Sequence, residues 1–135
     1  MKTLALLQEK YPTSHAWAFG NSPELANDLA ALVAKGIKTA SCCSLTSYLQ
    51  DLPITPGSYH IILDGENRPV CVIRMMTLRL LRFDKVTEAD AYKEGEGDKS
   101  LAYWQQAHRD FFKAEGTFAE DMELIVTEFQ LAEII

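Results

Sequence analysis

Two apolar segments joined by a turn sequence constrain the fold of this chain most strongly. The segment Y-H-I-I-L, residues 59–63, is rich in β-branched and aromatic residues, and it is followed by the typical turn sequence D-G-E-N-R-P. A second apolar run, residues 70–81, then returns along the first. The pattern predicts a β-hairpin whose second strand is long enough to be bent or bulged.

Helix signals precede this hairpin. The sequence S-P-E at residues 22–24 combines an N-cap hydroxyl, a proline at the first helical position and an acid in the first turn. Leucines at helical spacing follow up to Gly36, which suits a left-handed residue at a helix end. Beyond an extended stretch, a short helix is predicted to reach about Gln50 and to be ended by Pro53 and Pro56.

The C-terminal third predicts two more helices and a strand. Thr87 and Ser100 are suited to cap helices, the second of which stops at Gly116. The last segment, residues 122–135, predicts a strand of about 12 residues. With 135 residues and no internal repeat or linker, the chain is expected to form one domain, 1–135, of the α+β class, with largely antiparallel strands and a small barrel.

The net charge of the chain limits the classes of partner that it is expected to bind. The formal net charge is −6, whereas proteins that grip nucleic acid mainly through phosphates usually carry a basic surface. Four arginines without an acid occupy residues 68–82, which leaves a local basic face open. Arg74 in this segment is a candidate phosphate contact and hence a substrate-binding residue. The alternative is that these arginines pair with the abundant acids.

The N-terminal segment and the cysteines indicate the compartment. The apolar run L-A-L-L at residues 4–7 is too short for the core of a signal peptide, and no apolar run approaches the roughly 20 residues that span a bilayer. A cytoplasmic protein without membrane contact is therefore expected. Cys42, Cys43 and Cys71 show no C-x-x-C spacing, so small, reduced cysteines are favoured over disulfides or a zinc site.

Lys38, Thr39 and Ser41 stand where the first long helix passes into an extended segment. A serine hydroxyl is a weak nucleophile unless a base removes its proton, and a lysine can be that base if its pKa is lowered. Residues three apart point to opposite faces of a straight strand, so Lys38 and Ser41 would meet only at a bend. The alternative for Lys38 is an ordinary solvated cation.

An acidic and a histidine-containing segment follow in the C-terminal half. Glu94 and Glu96 each precede a glycine, and such carboxylates can bind Mg²⁺ or Mn²⁺ or act in acid–base chemistry, although a solvated helix end is the plainer interpretation. His108 lies with Trp104 on an apolar helical stripe, which favours a hydrogen-bonded histidine at the edge of the core. His15 and His60 are placed in a loop and a strand, without partners.

Two aromatic residues precede the first long helix. Trp17 and Phe19 are candidates for stacking on a nucleobase, and hence for substrate binding. The same residues could instead cover the core.

The ordered motifs of the chain resemble those of the ASCH-domain family. They are G-x-K-T-x-S at residues 36–41, F-x-x-V-T at 83–87, E-G-E-G-D at 94–98 and W-x-x-x-H at 104–108. The resemblance covers roughly residues 16–130, and the E-G-E-G-D motif is similar to that of the larger branch of the family. It implies a PUA-like fold, which is a small antiparallel β-barrel flanked by helices, with a cleft on one side.

The resemblance also implies a function that concerns RNA. Some members resemble single-stranded ribonucleases aided by divalent metal, and a small-sized branch hydrolyses N4-acetylcytidine with a lysine, a threonine and a glutamate. These positions correspond to Lys38, Ser41 and Glu94, with serine replacing threonine; Thr39 belongs to the same motif and is a candidate substrate contact. The arginine that follows in the small branch is absent, since Cys42 and Cys43 stand there.

Three candidate functions therefore follow from the sequence. A ribonuclease-like hydrolase would use Lys38 to stabilise a phosphorane and Glu94 or Glu96 to hold Mg²⁺ or Mn²⁺. A metal-independent amidohydrolase of an acylated cytidine would use Lys38 as base, Ser41 as nucleophile and Glu94 as proton donor. A non-catalytic module would only bind RNA, a nucleotide or a nucleoside. No cofactor is required by the sequence itself, and it leaves the oligomeric state open.

Overall fold

The predicted hairpin is the centre of the fold in the computed structural model, which describes residues 2–50 and 54–135. Strand β3, Tyr59–Leu63, pairs antiparallel with strand β4, Pro69–Arg82. The register of β4 against its other neighbour shifts between Val72 and Ile73 and again between Met75 and Thr77. The expected bending of the long strand is thus confirmed, with bulges as its local cause.

Three further strands of the described residues, β1 (His15–Ala18), β2 (Ala40–Ser44) and β5 (Glu123–Ile134), join β3 and β4 in one five-stranded sheet with the order β1-β3-β4-β5-β2. Strand β5 runs antiparallel to β4, and strand β2 runs antiparallel to β5. At the other edge, strand β1 is parallel to β3. The sheet curls into a half-barrel, so that its two edge strands face a common cleft. The predicted α+β class is confirmed.

Helices cover this sheet and begin at predicted caps. Helix α2, Pro23–Ala34, starts where the Ser22 hydroxyl accepts a hydrogen bond from the Leu25 amide. The described helices are α1 (Leu4–Lys10), α2, α3 (Leu45–Gln50), α4 (Glu88–Glu94) and α5 (Leu101–Glu115), with a 3₁₀ turn at Phe83–Lys85. Pro53, expected to end α3, lies outside the described residues.

Helix α1 and strand β1 were not expected. The Thr3 hydroxyl caps α1 by accepting from the Leu6 amide, and Leu7 of this helix is buried against β3 and β4. His15 was expected in a loop but begins β1. A strand of four residues is too short to show a clear alternation, and its partner lies far along the chain, so local patterns do not reveal it.

The buried apolar residues divide into packed groups on both sides of the cleft. One group joins α2 to β3, β4 and β5 and includes Phe19 and Val33. Another packs α4 and α5 against β5 and includes Trp104 and Phe112. The cleft therefore lies between packed parts of the core. None of the helices among the described residues has the length and apolar character needed to span a membrane.

Candidate functional site

A cleft of about 710 Å³ opens between the two edges of the curled sheet. Its volume lies in the range of roughly 300–1,000 Å³ that is usual for small-molecule sites. Its walls are largely apolar, with the aromatic residues Trp17, Phe19, Tyr48, Tyr103 and Phe111. Polar side chains also line it, among them Lys38, Ser41, Glu96, His108 and Glu115. Such a cleft suits a flat, mainly apolar ligand with one polar edge.

Lys38 is buried at the inner end of this cleft, with 2% of its surface exposed. Gly36 at the end of α2 takes a positive φ of 75°, which turns the chain so that the Lys38 amide donates back to the Leu32 carbonyl at 3.1 Å. The Lys38 ammonium lies 3.4 Å from Glu94 Oε1 and 2.8 Å from Glu96 Oε2. Its Nζ is also 5.5 Å from the centre of the Phe19 ring. Lys38 is therefore not a solvated surface cation.

The E-G-E-G-D segment brings the two carboxylates to Lys38. Glu94 is the last residue of α4, and Gly95 follows with a left-handed φ of 70°. A Cβ atom on Gly95 would lie 2.5 Å from the Ile37 carbonyl oxygen, so only glycine allows this close approach of the two backbones. The Thr39 amide donates to the Lys93 carbonyl at 2.8 Å and joins the same two segments.

These buried charges hold one another in their ionised forms. Burial by itself would lower the pKa of Lys38, but the carboxylates of Glu94 and Glu96 outweigh it and raise that pKa above its ordinary value. Burial would raise the pKa of Glu94, but Lys38, followed by His108 and Trp104, lowers it to about 2. Near neutral pH the cluster therefore contains the Lys38 ammonium and the ionised carboxylate of Glu94.

Glu94 has further partners that the sequence did not indicate. The Trp104 indole donates to Glu94 Oε2 at 2.6 Å, and His108 Nε2 lies 3.4 Å from Glu94 Oε1. The His108 ring stacks on Trp104 with 4.2 Å between the ring centres. The Cys42 thiol of β2 lies within 4.8 Å of donor atoms of both Glu94 and His108. The expectation that His108 sits hydrogen-bonded at the edge of the core fits its contacts, but its closeness to Cys42 was missed.

Three further predicted site residues differ in their position relative to the cleft. Ser41 lines the cleft, but among the described residues no hydrogen bond joins its hydroxyl to Lys38. Thr39 is exposed and outside the cleft lining, and its hydroxyl donates to the Lys93 carbonyl at 3.3 Å. Arg74 is also exposed outside the lining, where its Nε donates to the Gly57 carbonyl at 3.1 Å. The structure thus brings Lys38, Glu94 and Glu96 together, places Ser41 on the same cleft as Lys38, and leaves Thr39 and Arg74 apart.

The aromatic wall is held in place by a buried histidine. Trp17 and Phe19 meet edge to face at 4.6 Å, and the Trp17 indole donates to His60 Nδ1 at 2.9 Å. His60 Nε2 is then free to donate to the Ser58 hydroxyl, 2.8 Å away, and that hydroxyl donates to the Thr55 carbonyl. Burial, with a contribution from His15, lowers the pKa of His60 to about 4, which agrees with a neutral ring. Sequence reasoning had assigned His60 no partner.

The two carboxylates predicted to hold Mg²⁺ or Mn²⁺ already share a cation. The Lys38 ammonium contacts both Glu94 and Glu96, so a divalent ion between these side chains would meet a neighbouring positive charge. Coordination of a hard cation by this pair would therefore require Lys38 to move.

The sequence matches a family model described as ASCH domain over residues 15–133. The chain belongs to the ASCH-domain family. ASCH domains are in general RNA-binding domains. No curated protein matches the sequence of this chain. Membership of the branch with the E-G-E-G-D motif stays a prediction.

Solved structures agree with this assignment. An ASCH domain from Lactobacillus crispatus JV V101 is 36% identical with a TM-score of 0.86, over 94% of this chain and 84% of the other. Protein EF3133 from Enterococcus faecalis V583 is 33% identical with a TM-score of 0.82, over 96% of this chain and 89% of the other. A mutant ASCH protein from Zymomonas mobilis is 14% identical with a TM-score of 0.53, over 87% of this chain and 66% of the other, and shares the fold alone.

Proposed function

We propose that this ASCH domain binds one nucleobase unit, as a free nucleoside or at an unpaired position of RNA, in the cleft between β1 and β2. The observation that supports this most is the combination of aromatic walls, above all Trp17 and Phe19, with a polar inner end at Lys38 and Glu96. Aromatic side chains stack on any base, and hydrogen-bonding groups at one end can recognise its edge.

The charge of the inner end favours the base over the phosphate. Lys38 is the only ammonium there among the described residues that line the cleft, and both Glu94 and Glu96 contact it. A phosphate would find no excess positive charge and would be repelled by the carboxylates. A neutral base instead meets a donor in Lys38 and an acceptor in Glu96. Ribonuclease action with Lys38 stabilising a phosphorane is less well supported for the same reason.

Substitution of Trp17 tests this proposal. Loss of one stacked ring weakens single-strand binding by about 1–3 kcal/mol, so Trp17→Ala is expected to raise the Kd for a short single-stranded RNA or a nucleoside about 5- to 150-fold. Trp17→Phe keeps a ring and loses the hydrogen bond to His60, so a smaller loss is expected. Isothermal titration calorimetry with cytidine, N4-acetylcytidine and a short RNA measures each affinity.

The matched control is Tyr92→Ala, which removes an exposed aromatic ring outside the cleft, and it should leave each Kd unchanged. The proposal fails if the wild-type protein binds none of the three ligands, or if Tyr92→Ala and Trp17→Ala weaken binding equally while both variants retain the wild-type melting temperature.

Hydrolysis of an acyl group on the bound base is a second candidate. The Ser41 hydroxyl lines the cleft with Lys38, and among the described residues no hydrogen bond occupies that hydroxyl. Lys38 is an ammonium and Glu94 a carboxylate in the free protein, which are the opposite charge states to those of a base and a proton donor. This mechanism would therefore require a proton to move from Lys38 to Glu94, 3.4 Å away, against the direction of both pKa shifts.

Turnover assays separate the hydrolytic candidates. An amidohydrolase would release acetate from N4-acetylcytidine with or without a chelator, and both Ser41→Ala and Lys38→Arg should abolish release, because arginine keeps the charge but cannot act as a base. A ribonuclease that depends on Mg²⁺ or Mn²⁺ would cleave single-stranded RNA only without the chelator. Absence of both activities in a protein that binds the ligands would leave the function as binding alone.

A further inference from the structure

Three metal-binding side chains from three different elements converge beside the cleft. Cys42 comes from β2, Glu94 from the end of α4 and His108 from α5, and one donor atom of each lies within 4.8 Å of the others. Thiolate, carboxylate and imidazole are the groups that bind zinc in proteins. We propose that Cys42, Glu94 and His108 form a Zn²⁺ site with an open coordination position toward the cleft.

Neighbouring groups already orient two of these ligands. A carbonyl oxygen can only accept, so His108 Nδ1 must donate to the Trp104 carbonyl at 2.9 Å, and this leaves His108 Nε2 to face Glu94. The Trp104 indole donates to Glu94 Oε2 at 2.6 Å, which directs Glu94 Oε1 toward His108 and Lys38. Metal-binding histidines and carboxylates are typically held by such hydrogen bonds to their other polar atoms.

The three ligand atoms need to move only slightly to reach the separations of a tetrahedral zinc site. Zinc bonds of about 2.0–2.3 Å place neighbouring ligand atoms of a tetrahedral site roughly 3.3–3.7 Å apart. Glu94 Oε1 and His108 Nε2 are already 3.4 Å apart, so the remaining closure falls to Cys42 and is at most about an ångström. Cys42 and His108 are half-buried and line the cleft, so the open position is accessible to water or a ligand.

Lys38 is the cation that competes for Glu94, and the structure offers it another partner. Glu96 Oε2 is nearer to the Lys38 ammonium, at 2.8 Å, than Glu94 Oε1, at 3.4 Å. A metal ion can therefore replace Lys38 beside Glu94 while Glu96 retains the ammonium. Because thiolate and imidazole favour zinc over Mg²⁺ or Mn²⁺, this site differs chemically from the carboxylate pair predicted from the sequence.

Cobalt titration tests this site directly. Chelator-treated protein is titrated with Co²⁺, and we expect one equivalent to produce the near-ultraviolet band of a cobalt–thiolate bond, which one equivalent of Zn²⁺ then removes. Cys42→Ser should abolish the band and weaken Zn²⁺ binding at least about 10-fold. The control Cys71→Ser removes a cysteine buried in another part of the core and should retain the band. His108→Gln should also weaken Zn²⁺ binding at least about 10-fold.

The site is refuted if the wild-type protein gives no cobalt–thiolate band, or if folded Cys42→Ser or His108→Gln protein binds Zn²⁺ like the wild type. Should Cys42→Ser fail to fold, His108→Gln decides alone. Nucleobase affinity measured in the presence of chelator is a separate readout, so a failure of the metal site and a failure of the proposed function can be told apart.

Discussion

Individual buried polar residues determine the shape of the cleft. His60 shows this well, because it accepts from Trp17 on one side and faces Ser58 on the other. The bond from Trp17 requires a neutral imidazole, because only an unprotonated Nδ1 can accept it, and His60 is 1% exposed. A residue that appeared isolated in the sequence thus positions the main stacking surface of the proposed ligand site.

The ionisation of His60 leads to a prediction about stability and pH. Its pKa is about 4 in the folded protein, against an ordinary value near 6.5 in the unfolded chain. Between these values the unfolded chain binds more protons at this residue, so the stabilisation present above pH 6.5 is lost as pH falls toward 4. His60→Asn keeps an acceptor for Trp17 and cannot titrate, so its free energy of unfolding should fall less over this range. Urea unfolding at pH 7, 5.5 and 4 measures the difference.

Ser58→Ala is the matched control, because it removes the partner of His60 Nε2 and keeps the titrating ring. Its decrease in stability between pH 6.5 and 4 should follow that of the wild type. Parallel curves for the wild type and His60→Asn would show that protonation of His60 does not limit stability in acid.

At the level of helices and strands, local signals were sufficient for three capped helices and for the central hairpin. Ser22, Thr87 and Ser100 each cap the helix predicted for them, and the hairpin forms as expected. Strand β1 and helix α1 were missed because they are short and owe their place to distant partners. Distance along the chain also limited what could be predicted of the site. The pairing of Lys38 with Glu94 was predicted from the family resemblance, whereas the closeness of Cys42 and His108 arises only from tertiary packing.

The exit of α4 can be tested by comparing two glycines in equivalent positions. Gly95 and Gly116 both follow a helix with a left-handed backbone, but a Cβ atom would meet the Ile37 backbone at Gly95 and no atom within 4 Å at Gly116. Gly116→Ala should cost about 1 kcal/mol of strain. Gly95→Ala should cost roughly 1–3 kcal/mol more and reduce nucleobase affinity, because Glu94 and Glu96 move away from Lys38.

Chemical denaturation gives both free energies of unfolding, and calorimetry gives the two affinities. Equal losses of stability in the two variants would contradict a close contact between α4 and the segment that carries Lys38.

At the scale of the whole molecule, the surface charge is more evenly compensated than the sequence suggested. For the arginines of residues 68–82, the sequence left open a local basic face, with pairing to the abundant acids as the alternative. In the structure Arg68 pairs with Asp64 and Glu66, Arg79 with Asp90, and Arg82 with Asp84. These pairs leave little free positive charge for a phosphate backbone on a protein of net charge −6.

This compensation predicts weak salt dependence of RNA binding. Each phosphate contact with a single strand contributes about −0.7 to the slope of log K against log salt concentration. If recognition rests on a stacked base, the slope for a short RNA should be no steeper than about −1.4, which corresponds to at most two phosphate contacts. Fluorescence anisotropy between 50 and 300 mM KCl measures the slope. The variant Arg74→Ala is measured alongside, because Arg74 is the one arginine in 68–82 that has no carboxylate partner among the described residues. A slope of about −3 or steeper, reduced by Arg74→Ala, would mean that the exposed face of β4 rather than the cleft binds the RNA.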